Sequence, residues 1–135
     1  MKLYHFTSEY HLLQILKDTA LTKGDVPLSP THGINAVWFT IDPNRYHQLW
    51  IRGSAVDKTK VRVEVRINRK DPNLVKWTDF AKKHLAKAWF ETLDKVVGYR
   101  SNDWYIYLKT FPLPPETHID IEGKVPYNYR RKGEI

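Results

Sequence analysis

The sequence predicts one α+β domain, because strand-like and helix-like segments alternate along a chain of 135 residues that contains no repeat or linker. The clearest strand is KVRVEVRIN, residues 60–68, in which aliphatic residues alternate with charged or polar ones. The clearest helix runs from about Thr78 to Val97, with an apolar stripe at helical spacing. We expect about five or six strands and two or three helices in one compact domain over residues 1–125, followed by a basic C-terminal tail over residues 126–135.

The N-terminal elements follow one another closely. Residues 2–6 favour a strand, Ser8 is a good helix N-cap, and apolar residues at helical spacing extend a helix to about Lys17. Residues 21–35 contain two glycines and two prolines among polar residues, which predicts a long loop of a kind that is often functional.

The middle and the end of the chain complete the prediction. Residues 36–40, AVWFT, favour a short buried strand, and Asp42 with Pro43 predicts a helix to about Trp50 that ends at Gly53. Residues 103–111 and 118–125 predict two more strands.

Composition restricts the possible functions. The chain has no cysteine, which excludes disulfides, thiolate zinc sites and cysteine nucleophiles. It has no apolar run of membrane-spanning length and no apolar leader at its N-terminus, so we expect a cytoplasmic protein without a membrane partner, either a monomer or a simple oligomer. Its 22 Lys and Arg against 15 Asp and Glu favour anionic partners such as nucleotides, nucleic acid or an acidic protein surface.

Common catalytic motifs are absent from the sequence. It contains no nucleophile elbow, P-loop, GxGxxG or HExxH pattern. His5 and His11 are six residues apart across a strand-to-helix junction and do not share a helix face, so we predict no metal site.

Three short segments carry a resemblance to a known superfamily. LYHFT at residues 3–7, AVWFT at residues 36–40 and NDWYIY at residues 102–107 resemble the His–Tyr–Glu motifs of diphtheria-toxin-like and poly(ADP-ribose) polymerase-like ADP-ribosyltransferases. His5 matches directly, whereas Trp38 stands at the tyrosine position and Asp103 at the glutamate position. The resemblance implies a split mixed β-sheet and NAD as the cosubstrate.

The resemblance also implies roles for four residues near the first two strand ends. His5 would hydrogen-bond the adenosine ribose of NAD, and Trp38 would stack against nicotinamide. Thr7 would contact the ligand, and Thr40 would support the site. The structural alternatives are a strand histidine satisfied by backbone for His5, core packing for Trp38, and helix-start or strand-end hydroxyls for the two threonines.

Asp103 decides whether catalysis is possible in this interpretation. A carboxylate on the ribose would stabilise the positive charge that develops as nicotinamide leaves. Aspartate is one methylene shorter than the glutamate of the family motif. The structural alternative is that Asp103 is a solvated turn residue before a strand. The resemblance therefore makes Asp103 and His5 the catalytic candidates.

Several basic residues are further candidates for contacts with a ligand or a partner. Arg45 and Arg52 could hold a pyrophosphate, an interpretation that the related RNA 2′-phosphotransferases support. Lys60, Arg62 and Arg66 lie on the outward face of the 60–68 strand and could contact nucleic acid or a partner. A solvated charged face is the alternative.

Two functional hypotheses follow from these observations. The first is a small ADP-ribosyltransferase-like enzyme that binds NAD and modifies a protein or nucleic-acid acceptor, as phage or bacterial effectors of host or defence proteins do. The second is a non-catalytic binder of a nucleotide, an acidic partner or nucleic acid. The first requires His5 and Trp38 to lie on neighbouring strands and line one cleft, and the family interpretation fails if their side chains lie on opposite faces of the sheet.

Overall fold

Ten strands and three α-helices make up the part of the chain that the computed structural model describes, residues 1–29, 31–48, 59–96, 100–115, 117–122 and 127–128. The helices are α1 (Glu9–Asp18), α2 (Trp77–His84) and α3 (Lys87–Val96). The strands are β1 (Lys2–Thr7), β2 (Ala20–Leu21), β3 (Gly24–Pro27), β4 (Gly33–Thr40), β5 (Val61–Arg66), β6 (Leu74–Lys76), β7 (Trp104–Tyr107), β8 (Phe111–Pro112), β9 (His118–Ile121) and β10 (Tyr127–Asn128). Two short 3₁₀ turns lie at Arg45–His47 and Ser101–Asp103.

Eight of these strands form one sheet in the order β10–β9–β5–β1–β4–β7–β6, with β3 added to β4. The strands β2 and β8 form a separate small ladder. The chain is thus a single compact α+β domain, as the sequence predicts. The sheet differs from the mixed sheet implied by the resemblance, since every strand pair between described residues is antiparallel.

The sheet packs a core on each of its faces. One core lies under α1, whose Leu12 and Ile15 belong to the same cluster as the buried side chains of β5 and β4. The predicted alternation of the 60–68 strand is confirmed, because Val61, Val63, Val65 and Ile67 are all buried there. The opposite core consists mainly of Trp77, Trp104 and Ile106, against which partly buried residues of α2 and α3 pack.

Local chemistry fixes both ends of α1. The Ser8 hydroxyl accepts a hydrogen bond from the His11 backbone N–H at 3.2 Å, which confirms the predicted N-cap. Glu9 lies in the first turn and Lys17 in the last, and both complement the helix dipole. Thr19 then takes a left-handed conformation with φ 53° and ends the helix.

The loop predicted over residues 21–35 is instead a β-hairpin. The strand β3 pairs with the first half of β4, and Pro27 stands opposite Gly33. A Cβ atom at Gly33 would lie 3.0 Å from the Val26 carbonyl oxygen, so this glycine permits the close approach of the two strands. Gly24, Pro27 and Gly33 therefore lie at the ends of the paired segments of this hairpin.

The helix predicted from Asp42 is also wrong over the residues that are described. Asp42 and Asn44 accept hydrogen bonds from the backbone N–H groups two residues ahead, at 2.9 and 2.8 Å. These side-chain bonds stabilise turns in competition with a helix, and a single 3₁₀ turn follows at Arg45–His47. Trp50 and Gly53 lie outside the described residues.

The predicted long helix is two helices, α2 and α3, separated at Leu85 and Ala86. Leu85 has an extended backbone, with φ −111° and ψ 144°. The change of direction brings Phe90 and Leu93 of α3 into the same core cluster as Trp77 of α2. Tertiary packing thus overrides a continuous helical pattern. Val96, which the sequence placed in the buried stripe of this helix, is 54% exposed.

We predict that Leu3→Ala lowers the free energy of unfolding by about 2–5 kcal/mol, because Leu3 is fully buried in β1 at the centre of the sheet. Leu13→Ala is the matched control, since Leu13 on α1 is 71% exposed, and its effect should stay within about 0.5 kcal/mol. Urea unfolding of both variants measures the difference. Equal effects of the two substitutions would contradict the placement of the core.

Candidate functional site

A fork between β1 and β4 opens the cleft that we consider the candidate site. Among the described residues, β1 and β4 share a single pair, Tyr4 opposite Thr40. Beyond that pair β1 stays on β5, while the other end of β4 takes β3 as its partner. The space between the diverging strands is a cleft of about 500 Å³.

The lining of this cleft combines aromatic, hydroxyl and ionisable groups. From β1 and the helix that follows it come His5, Phe6, Thr7, His11, Gln14, Ile15 and Asp18. From the hairpin and the sheet beyond it come Ala20, Thr22, Lys23, Gly24, Ala36, Trp38 and Trp104. A cavity of this size, in which polar groups converge beside aromatic side chains, can hold a small molecule.

The His5 side chain bridges the fork. Its Nδ1 lies 2.8 Å from the carbonyl oxygen of Trp38. A carbonyl oxygen can only accept, so Nδ1 carries the proton and donates it, which leaves Nε2 as an acceptor in the neutral ring. Within the described part of the chain Nε2 has no hydrogen-bond partner. The ring packs edge-on against Phe39 at 6.0 Å between centroids.

The surroundings of His5 keep its ring neutral. Burial lowers the pKa of His5 below its ordinary value of 6.5, and the neighbouring His11 lowers it further. The hydrogen bond to the Trp38 carbonyl acts in the opposite direction but does not prevail. His5 is therefore suited to accept a hydrogen bond or a proton near neutral pH.

His11 is a second imidazole in the cleft, and Ser8 holds it. The Ser8 hydroxyl lies 2.6 Å from Nδ1 of His11, while it also accepts the helix-capping bond from the His11 backbone. Ser8 is buried, with 2% of its surface exposed, whereas His11 is exposed. One buried serine thus caps α1 and orients a histidine whose other ring nitrogen, Nε2, remains to meet a ligand.

Trp38 lines the cleft together with His5, but not from the same face of the sheet. The Tyr4–Thr40 register places Trp38 on the face of Tyr4, and its ring packs against Trp77 and Trp104 at 4.9 and 5.9 Å. His5 points to the opposite face, beside Phe39. The expected shared cleft is present, whereas the expected shared face is wrong, and this counts against the ADP-ribosyltransferase resemblance.

The two threonines occupy different positions. Thr7 lines the cleft, is 6% exposed, and its hydroxyl makes no hydrogen bond with another described residue. Thr40 is buried away from the lining, and its hydroxyl accepts a hydrogen bond from the Asp42 backbone at 3.1 Å. Thr7 is therefore available to a ligand, while Thr40 stabilises the turn after β4.

Asp103 lies one residue before Trp104 but is not among the residues that line the cleft. Its carboxylate is 4.0 Å from Arg100, which also contacts Asp42 at 3.5 Å. Its backbone carbonyl accepts a hydrogen bond from Ile41 at 3.0 Å, which continues the β4–β7 ladder. In this position Asp103 belongs to an ionic cluster at the end of the sheet.

Of the two arginines that were candidates for pyrophosphate binding, Arg45 is not brought to the cleft. Arg45 donates to the Lys60 carbonyl at 3.0 Å and pairs with Asp120 at 3.1 Å, and its side chain is 12% exposed. These bonds hold the 3₁₀ turn against the start of β5 and against β9. Arg52 lies outside the described residues.

The basic face of β5 is partly neutralised. Arg62 pairs with Asp120 at 3.3 Å, donates to the Pro43 carbonyl at 2.9 Å and lies over the Tyr4 ring at 5.2 Å. Lys60 and Arg66 are exposed. Arg62 thus packs against the face of the sheet. The exposed cations available to contact a partner are Lys60 and Arg66.

Sequence reasoning did not select five polar lining residues, His11, Gln14, Asp18, Thr22 and Lys23. The first three recur every three to four residues on α1, which places them on one helix face. Gln14 donates to Asp18 at 2.9 Å and occupies that carboxylate. The sequence does show a polar stripe beside the apolar stripe of α1. Only the structure shows that this polar stripe faces the cleft between β1 and β4.

Comparison with known proteins finds no match, either to family models or to curated proteins or to solved structures. In the described part of the chain no helix is long and apolar enough to span a membrane. The fold and the cleft are thus the basis for the functional proposals.

We predict that the pKa of His5 makes the protein less stable in mild acid. Between the lowered pKa and 6.5 the unfolded chain binds more protons than the folded chain, so the free energy of unfolding rises with pH and falls as pH drops. His11, Asp18 and Lys23 line the same cleft and are present in both proteins that are compared. Urea unfolding at about pH 7.5, 6.5 and 5.5 should show a smaller loss for His5→Gln than for wild type. Parallel losses in both would contradict the lowered pKa.

Proposed function

We propose that the fork cleft binds a nucleotide, with NAD, ADP-ribose and related ligands as the candidates. The observation that carries the proposal is the hydrogen bond from His5 to the Trp38 carbonyl, because it leaves Nε2 as an acceptor beside the cleft. A ribose hydroxyl is a donor that such a nitrogen would recognise.

The rest of the lining suits the other parts of a nucleotide. Lys23 supplies a cation for a phosphate, and Thr7 supplies a hydroxyl. The rings of Phe6, Trp38 and Trp104 supply apolar surface for a base. The excess of basic residues favours the approach of an anionic ligand.

Binding is proposed in preference to ADP-ribosyl transfer through Asp103. The Asp103 carboxylate lies outside the lining and faces Arg100. A carboxylate that stabilises charge on the ribose has to reach the reacting carbon, and a displacement of about 1 Å already costs on the order of a hundredfold in rate. Asp18, the carboxylate that does line the cleft, accepts a hydrogen bond from Gln14.

We predict that His5→Ala weakens the binding of ADP-ribose by about 1–3 kcal/mol, or roughly 5- to 150-fold in Kd, because a buried polar contact is lost. Isothermal titration calorimetry with NAD and with ADP-ribose measures the change. His84→Ala is the matched control, since His84 is exposed on α2 and lies outside the lining, and its Kd should equal that of wild type.

Asp103→Asn tests the transferase alternative. We predict an unchanged affinity for NAD, because Asp103 does not line the cleft. Nicotinamide release in the presence of a cell lysate, followed by mass spectrometry, gives the second measurement. Release by wild type that Asp103→Asn abolishes would replace the binding proposal with ADP-ribosyl transfer. The absence of binding of either nucleotide at millimolar concentration would refute both.

A further inference from the structure

The two histidines of the cleft have hydrogen-bond partners of different kinds. His5 Nδ1 faces a carbonyl oxygen, which can only accept, so the proton stays on Nδ1 whether or not Nε2 is protonated. His11 Nδ1 faces the Ser8 hydroxyl, which can accept from a protonated nitrogen or donate to an unprotonated one. Ser8 can therefore hold the His11 ring in either protonation state.

Both rings keep their Nδ1 hydrogen bonds while Nε2 gains or loses a proton, and their exposure suits them to opposite roles, because His5 is partly buried whereas His11 is exposed. Neutral His5 accepts a proton at Nε2, and the resulting imidazolium keeps its bond to the Trp38 carbonyl. Protonated His11 gives up the proton on Nε2, and the neutral ring that results keeps its bond to Ser8. Both side chains line the same cleft.

From this arrangement we propose that His5 and His11 act as general base and general acid in the cleavage of a ribonucleotide phosphodiester beside a 2′-hydroxyl. The inference rests on the proposed function, because the same cleft must first bind a nucleotide. It goes further in naming the bond that is broken and the two groups that move the protons.

The step balances in atoms and charge. His5 Nε2 removes the proton of the 2′-hydroxyl, and the 2′-oxygen forms a bond to phosphorus. The bond from phosphorus to the 5′-oxygen breaks, and protonated His11 gives its Nε2 proton to that oxygen. The products are a 2′,3′-cyclic phosphate and a 5′-hydroxyl, with His5 protonated and His11 neutral. Exchange with solvent restores both rings.

The remaining polar groups of the lining fit an anionic centre between two histidines. Lys23 brings a positive charge to the cleft, and the Thr7 hydroxyl makes no bond to another described residue. Both can donate to the non-bridging phosphate oxygens, on which negative charge grows in the transition state. The nucleophile belongs to the substrate itself, so the cleft has only to position one phosphorus between the base and the acid.

Cleavage of a single-stranded RNA of about ten nucleotides tests the proposal. We expect wild type to release fragments that end in a 2′,3′-cyclic phosphate, identified by mass spectrometry, and to leave the all-deoxy strand intact because it lacks the nucleophile. His5→Gln and His11→Gln should each lower the rate by about 10²- to 10⁴-fold. The control His84→Gln, on the exposed surface of α2, should cleave at the wild-type rate.

An RNA with sulfur in place of the 5′-bridging oxygen separates the two roles. A thiolate leaves without protonation, so His11→Gln should recover most of its activity on this substrate, whereas His5→Gln should not. A structural role for His11 predicts an equal loss on both substrates. Circular dichroism and urea unfolding establish that each variant is folded.

The outcomes distinguish this inference from the binding proposal. Nucleotide binding by calorimetry without RNA cleavage overturns the acid–base pair and leaves the binding proposal intact. Failure to bind any nucleotide overturns both. Cleavage that persists equally in His5→Gln and His11→Gln also overturns the pair, since it would come from another site or from a contaminating nuclease.

Discussion

The hydrogen bond between His5 and the Trp38 carbonyl is the contact on which the organisation of the site depends. It lies where β1 and β4 diverge and spans the gap beyond their shared Tyr4–Thr40 pair. A backbone ladder at this point would close the cleft, whereas a side chain satisfies the carbonyl and keeps the gap open. The same bond fixes the tautomer of His5. One hydrogen bond therefore accounts both for the open gap between β1 and β4 and for the acceptor at His5 Nε2.

Much of the fold follows from local patterns in the sequence. The alternation in β5, the Ser8 cap of α1 and the α+β class are all present as predicted. The helix predicted from Asp42 fails for a local reason, since side-chain bonds stabilise turns there, and two further failures occur where long-range packing decides. Leu85 interrupts a good helical pattern because α3 packs on the Trp77 cluster, and residues rich in glycine and proline pair as a hairpin because β4 offers an edge.

The site was less predictable than the fold. His5, Thr7 and Trp38 were selected from the resemblance to ADP-ribosyltransferase motifs, and all three line the cleft. Asp103 and Arg45 have the expected chemistry but are used in ion pairs elsewhere, which no sequence spacing reveals. His11 was considered only as a possible metal ligand. Its place in the cleft depends on where β4 and β5 lie beside β1 in the sheet, and this order cannot be read from the sequence.

The two hydrogen bonds made by Ser8 restrict which residue types can replace it. Aspartate and asparagine cap helices as well as serine does, so α1 alone would tolerate either. An aspartate, however, would favour the charged form of His11. In an asparagine the oxygen can only accept and the nitrogen can only donate, whereas the serine hydroxyl can do both. Only a hydroxyl serves both the helix and the imidazole, so homologues that keep a histidine at position 11 should carry serine or threonine at position 8.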